Sequence, residues 1–251
     1  MKGSRLLLFI VLCWVIIPAY QAEARYYDAR VGRWMSPDPL KERYNSLSPF
    51  CYSADNPIAL LDPDGKRILV AGSTFFQRTA LAALQKLTND RLVLRKGEIL
   101  IVKLGGQNPD KTLQNGTNLV RTLNAKGEGA KTVIIDKSDY GNSAPAKSTD
   151  DAQVPGKGSD TDVHWNPNNK EGGVDANGNR DRPPEIGLAH ELFHAQDQAA
   201  GTVDKAFSGY GDPDSKGALL LPNYEVKVRR EENSVRREQG VAERAKPLKE
   251  E

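Results

Sequence analysis

The feature that most constrains this chain is the run Leu188-Ala-His-Glu-Leu-Phe-His-Ala195, an HExxH sequence. On a helix, side chains four residues apart lie on one face, so His190 and His194 can bind one metal ion. Glu191 lies about a hundred degrees further round, beside the position where water binds. Only three of the 251 residues are histidine, so chance explains this spacing poorly. The motif predicts a Zn²⁺ site for metal-assisted hydrolysis, with Glu191 as the catalytic base.

The flanking residues indicate that the motif lies on a buried helix. Pro183 and Pro184 suit a first turn, and Gly201 suits the end of the helix. Apolar residues occupy two sides of this helix, which is typical of a helix inside a core. The alternative is a core helix whose histidines only form hydrogen bonds. Ordinary packing, however, gives no reason to bury a carboxylate beside two imidazoles.

A catalytic zinc site needs a third protein ligand and an open position for water. The highly charged segment 223–238 predicts a second helix that ends at Gly240. Glu225 and Glu232 share a face of this helix because they are seven residues apart. Either glutamate can bind the metal while the other orients a histidine. The alternative for this segment is a solvated helix held by salt bridges. Further candidates for orienting the ligands or contacting the substrate are His164, Asp197 and Arg236.

The motif and the charged segment together resemble the effector-type zinc metallopeptidases, which are the NleD-like proteases of secretion-system effectors and polymorphic toxins. The resemblance covers about residues 162–247 and implies a gluzincin-type site, with Glu225 as the third ligand and Glu232 as its rival. It implies an α+β zincin-like domain, in which the active-site helix and the glutamate helix pack on a small sheet. It also implies a toxin or effector that cleaves a protein in a target cell, and an immunity protein in the producer.

Residues 25–65 resemble a different family, the closing fragment of the RHS repeat-associated core. The resemblance rests on Tyr26-Tyr-Asp-Ala-Arg30 and Asp62-Pro-Asp-Gly65. In that family the fragment caps a hollow shell just before a variable C-terminal toxin. Lys66 stands where the family's self-cleavage motif has leucine. Two other functions remain open: a catalytically inactive RHS-associated binding or scaffold protein, and a zinc hydrolase that acts on other amides or esters.

Residues 1–24 have the pattern of a secretory signal peptide. Lys2 and Arg5 precede an apolar run, and Ala22-Glu-Ala24 is a small-x-small cleavage site. The run is short for a membrane span, so we expect an exported protein without stable membrane insertion. Cleavage after Ala24 removes Cys13 and leaves Cys51 alone, so no disulfide is available.

Residues 66–251 are long enough for one domain. Apolar periodicity predicts helices and strands in an α+β order. The predicted strands are 67–71, 132–136 and 161–165, with a hairpin at 92–102, and the predicted helices are 74–88 and 113–123. The strand that ends at Trp165 is a candidate to pair with an extended substrate. The net charge of +2, with acidic and basic residues interspersed, argues against nucleic acid as a partner.

Overall fold

The computed structural model describes residues 27–28, 33–35, 67–108, 112–125 and 130–249. The chain divides into two units, Met1–Ile58 and Ala59–Glu251. In the first unit, Tyr27–Asp28 (β1) pairs antiparallel with Arg33–Trp34 (β2). The predicted signal peptide and most of the predicted RHS fragment lie outside the described residues. Within the described ranges, no helix has the length and apolar character that crossing a membrane requires.

The second unit contains a five-stranded mixed sheet. Its strands are Arg67–Val70 (β3), Arg91–Arg95 (β4), Glu98–Lys103 (β5), Thr132–Lys137 (β6) and Thr161–Trp165 (β7), in the order β4-β5-β3-β6-β7. The strands β3, β6 and β7 are parallel, whereas β4 and β5 form an antiparallel hairpin. Lys96 and Gly97 both have positive φ at its turn, as a two-residue hairpin favours. The predicted strands and hairpin are confirmed.

Among the residues that the structure describes, four α-helices accompany the sheet: Thr74–Leu87 (α1), Gln114–Leu123 (α2), Pro184–Ala200 (α3) and Asn223–Gln239 (α4). Ser73 caps α1 by accepting a hydrogen bond from the backbone N–H of Phe76. The predicted stops are confirmed, because Gly201 and Gly240 end α3 and α4 in the left-handed conformation. The unit is therefore α+β, as predicted.

The core holds α3 firmly against the sheet. Residues from both apolar sides of α3, including Ile186, Leu188 and Leu192, are fully buried. Trp165 at the end of β7 is also buried, and its indole Nε1–H donates to the carbonyl of Pro184 at 3.1 Å. Because this bond joins the end of β7 to the first turn of α3, the sheet sets where the motif helix begins.

The second unit also contains a three-stranded sheet, with two strands between α3 and α4 in the sequence and one strand after α4. It consists of Phe207–Gly211 (β8), Leu220–Pro222 (β9) and Leu248–Lys249 (β10), in the order β10-β8-β9. Asn223 and Tyr224, which begin α4, donate backbone hydrogen bonds to Ala206 and Asp204. The start of α4 is thereby fixed to the chain that leaves α3.

The outer edge of β7 is already occupied by residues 143–147. His164 and Ser143 exchange two backbone hydrogen bonds, and Asp162 N–H donates to the carbonyl of Pro145. The prediction that an extended substrate pairs directly with β7 is therefore wrong, because its backbone groups already have partners. The segment 143–147 is composed of Ser, Ala, Pro and Lys and lacks the alternation that marks a strand.

Gly116 provides a test of the packing between α1 and α2. A Cβ at this position would lie 2.0 Å from the carbonyl oxygen of Leu87, which is backbone and cannot move aside. We expect Gly116→Ala to lower the free energy of unfolding by about 1–3 kcal/mol, despite the better helix propensity of alanine. Urea denaturation measures the change. Gly141→Ala is the control, because nothing lies within 4 Å of its Cβ position, and an equal effect of the two substitutions would contradict the close approach.

Candidate metal centre and cleft

Three ligand atoms from α3 and α4 converge on one point. The two histidine Nε2 atoms, of His190 and His194, are 3.1 Å apart. Glu225 Oε2 lies 3.2 Å from His194 Nε2 and 3.7 Å from His190 Nε2. In the described part of the chain, these three residues are the group that could hold a metal ion. The structure thus brings together the two motif histidines and the glutamate matched to the third ligand.

The dimensions of this triangle fit a tetrahedral zinc site. Zn–N and Zn–O bonds of about 2.0–2.1 Å in a tetrahedron put neighbouring ligand atoms about 3.3 Å apart. The observed edges of 3.1, 3.2 and 3.7 Å lie around this value. The donor set is therefore compatible with a metal.

Glu232 lies on the other side of the His190 ring and not at the metal position. The Nδ1–H of His190 donates to Glu232 Oε2 at 2.9 Å, which leaves Nε2 free as a ligand. Arg236 Nε donates to the second oxygen of Glu232 at 2.8 Å, and both side chains are 1% exposed. Arg236 also donates to the carbonyls of Ala242 and Gly172. Of the two glutamates left open by the sequence, Glu225 faces the histidine Nε2 atoms and Glu232 orients His190.

Glu225 is held by its own arginine. Arg229 Nε donates to Glu225 Oε1 at 2.7 Å, one helical turn away. The two terminal nitrogens of Arg229 bind both oxygens of Asp212 at 2.8 and 3.1 Å. Because a guanidinium held at three points cannot rotate freely, the remaining oxygen of Glu225 points at the histidines.

The neighbouring carboxylates favour positive charge on His190. Burial opposes a charged His190 ring, but the hydrogen bond to Glu232 and the nearby carboxylates outweigh it and raise the pKa of His190. Burial also opposes ionisation of Glu232, yet His190 and Arg236 lower the pKa of Glu232 to about 2. The pKa of Glu225 is lowered as well, since His194, His190 and Arg229 outweigh its burial. A site that favours a proton in this way also favours a metal cation.

Glu191 lines a cleft of about 420 Å³ that also exposes His194 and Tyr224. The Glu191 side chain has no hydrogen bond or ion pair with the described residues, although the residue is only 7% exposed. Burial raises the pKa of Glu191, against the opposing effect of His190, His194 and Arg182. A carboxylate with a raised pKa and no partner is suited to accept and return a proton.

The remaining predicted residues fall in different places. Asp197 lines the cleft one turn beyond His194, and Lys227 donates to its Oδ1. Arg236 is a positioning residue for Glu232, as described above. His164 is not part of the cluster, because its Nδ1 lies 2.6 Å from Asp136 at the ends of β7 and β6. The His164 side chain lies on the opposite face of β7 from those of Val163 and Trp165, which are buried in the core.

The sequence did not single out Tyr224, although it precedes Glu225 directly. The Tyr224 ring meets the His194 ring edge-on, with centroids 5.6 Å apart, and the residue lines the cleft. Burial and the Glu225 carboxylate raise the pKa of Tyr224, so its hydroxyl stays a hydrogen-bond donor. The position of Tyr224 next to Glu225 in the sequence was a signal that could have placed it in the site. Asp212, by contrast, reaches Arg229 only through the tertiary fold and had no such signal.

The chain matches the model of a known protein family. A model of the peptidase M91 family, described as an effector protein, matches residues 109–246. The match covers more than half of the 251 residues and includes both helices that carry the ligand triad. No curated protein matches the chain.

The role of Glu232 can be tested through metal affinity. We expect Glu232→Gln to weaken Zn²⁺ binding about 10- to 100-fold, because a neutral acceptor orients and polarises His190 less well. Competition with a chelating dye measures the affinity, and circular dichroism confirms folding. The control is Glu238→Gln on the last turn of the same helix, where the carboxylate accepts from the backbone of Asn115. Equal affinities for the two variants would contradict the role assigned to Glu232.

Proposed function

This chain belongs to the peptidase M91 family of effector proteins, and on that premise we propose that it is a zinc-dependent metalloendopeptidase of the gluzincin type with a zincin-like fold. We further propose that it acts as an exported, RHS-associated toxin or effector that cleaves a protein inside a target cell. An immunity protein that protects the producer belongs to the same proposal. The family supports a peptidase with a protein substrate, and the residues of the triad support the metal.

One observation carries the proposal: the triangle formed by His190 Nε2, His194 Nε2 and Glu225 Oε2, with edges of 3.1, 3.2 and 3.7 Å. Two neutral nitrogens and one carboxylate oxygen are the ligand set of a hydrolytic zinc site. When bound there, zinc supplies a Lewis acid that lowers the pKa of water and polarises a carbonyl group. The cleft beside His194 leaves room for the substrate on this side of the triangle.

Glu191 acts as general base and then as general acid in this mechanism. Its carboxylate lies in the cleft and does not belong to the ligand triangle, so it remains free to accept a proton from the attacking water. The raised pKa of Glu191 brings proton transfer closer to neutral pH. The same carboxyl group then donates this proton to the amine that leaves when the C–N bond breaks.

Tyr224 is placed to stabilise the negative charge that develops on the carbonyl oxygen. Its ring packs against His194, and its residue lines the same cleft as Glu191. Since its phenol stays protonated, the hydroxyl can donate a hydrogen bond to the oxyanion. The backbone hydrogen bond from Tyr224 to Asp204 fixes the start of α4 and therefore the position of this ring.

The segment 143–147 provides the wall along which an extended peptide lies. Ser143 and Pro145 form backbone hydrogen bonds with β7, and Lys147 forms one with Asp160 just before it. The backbone groups of Ala144 and Ala146 therefore point the other way. Ala144 O is held by Gln198 Nε2 on α3 at 2.7 Å. Ala144 and Ala146 both line the cleft, so this wall takes the place that the sequence predicted for β7.

Glu191→Gln tests the reaction itself. The substitution keeps size and polarity but removes the proton acceptor, so we expect proteolysis to fall about 10²- to 10⁴-fold while zinc content stays at one ion per chain. New protein termini in cells that express either chain give the readout. Unchanged proteolysis in the variant would exclude Glu191 as the base, and failure of the wild-type chain to bind zinc would exclude the metal mechanism.

Tyr224→Phe separates the hydroxyl from the ring. We expect kcat to fall about 10²-fold with little change in KM or zinc affinity, because only the transition state carries the oxyanion. Tyr224→Ala is the matched comparison, since loss of the ring contact with His194 should also weaken zinc binding. If Tyr224→Phe and Tyr224→Ala reduced zinc affinity equally and both kept the wild-type kcat, the hydroxyl would have no catalytic role.

A further inference from the structure

The cleft beside the triad has an apolar wall made of small residues. Ala144, Pro145, Ala146, Ala152 and Val203 all line it. Its volume of about 420 Å³ is enough for one large side chain and the adjoining backbone. Short side chains in the wall leave this space open, which favours a bulky apolar side chain from the occupant.

Outside the reaction centre, the charged side chains that line the cleft are Asp197 and Lys205. The titratable residues of the cleft are Glu191, His194, Asp197, Lys205 and Tyr224. Glu191 and His194 belong to the reaction centre described above, and Tyr224 is neutral. Asp197 is 4% exposed and accepts a charged hydrogen bond from Lys227. Lys205 is the one lining cation for which the described residues offer no counter-charge.

The acid next to Lys205 is committed elsewhere. Asp204 Oδ1 accepts from the backbone N–H of Ala206 at 2.9 Å, and its Oδ2 accepts from Asn223 Nδ2 at 2.8 Å. These two bonds lower the pKa of Asp204 and hold its carboxylate at the start of α4. Lys205 itself is exposed. Lys205 therefore lies at the rim of the cleft, and its charge is available to a group from outside the protein.

We propose that Lys205 selects peptide substrates that carry an aspartate or glutamate within about three residues of the cleaved bond, next to an apolar side chain held by the small-residue wall. This inference rests on the proposed peptidase function and specifies its substrate class. A cleft with low-dielectric walls strengthens the attraction between opposite charges and penalises like charges. Basic side chains at the same substrate position should therefore be disfavoured.

The experiment compares three zinc-loaded chains on one proteome-derived peptide mixture: wild type, Lys205→Glu and Lys103→Glu. Lys103 is an exposed lysine at the end of β5, away from the cleft-lining residues, and serves as the matched charge reversal. Mass spectrometry reads the residues around each cut. We expect wild type and Lys103→Glu to favour acidic over basic residues at one position, and Lys205→Glu to shift that ratio by about tenfold or more. The preference of the wild type should weaken with added salt.

A binding arm keeps this inference separate from the proposed reaction. Immobilised Glu191→Gln chain, with and without Lys205→Glu, selects peptides from the same mixture. Enrichment of acidic peptides only on the chain that has Lys205 supports the inference, whether or not any chain cuts a peptide. Absence of cutting by every chain would overturn the proposed reaction alone. Absence of acidic enrichment in this arm, or its persistence in the Lys205→Glu chain, overturns the assignment of Lys205.

Discussion

The packing of α3 against α4 depends on one buried carboxylate, that of Glu232. Glu232 is 1% exposed and bonds His190 on α3 and Arg236 on its own helix. An ionised group at this depth costs several kcal/mol unless each of its oxygens has a partner, so removing either partner is strongly unfavourable. The two helices can therefore approach in only one rotation about their axes. That rotation is the condition on which the ligand triangle depends.

Glu225 follows from this constraint by helical geometry. It lies seven residues before Glu232, which is about two turns or roughly 10 Å along the axis, so both side chains face α3. Because Glu232 takes the Nδ1 side of His190, Glu225 reaches the Nε2 side.

Gln198 extends the same arrangement to the cleft. It lies one turn beyond His194, donates to Ala144 and accepts from Thr161, so α3 positions both the ligands and the wall.

Local patterns were sufficient to predict most of the second unit. The apolar runs of β3 and β6, the Lys96-Gly97 turn and the glycines after α3 and α4 are local signals, and the structure has these features where the sequence predicted them. The choice between Glu225 and Glu232 could not be made in this way, because it depends on how α4 is rotated against α3. The role of residues 143–147 was also hidden, since their pairing with β7 is a tertiary contact. His164 was a candidate for orienting the ligands because it is the only histidine outside the motif, and its distance from the motif histidines is set by the tertiary fold.

Two arginines of α4, Arg229 and Arg236, explain how a site with three glutamates would leave a coordination position open on a bound metal. A carboxylate with two free oxygens can approach an ion through both and fill the place that water needs. Glu225 has one oxygen bound by Arg229, which Asp212 holds in turn, so only Oε2 faces the histidines. Glu232 is kept away from the proposed metal position by its bonds to His190 and Arg236. Glu191, which has no such partner among the described residues, is thereby the carboxylate left free to move protons.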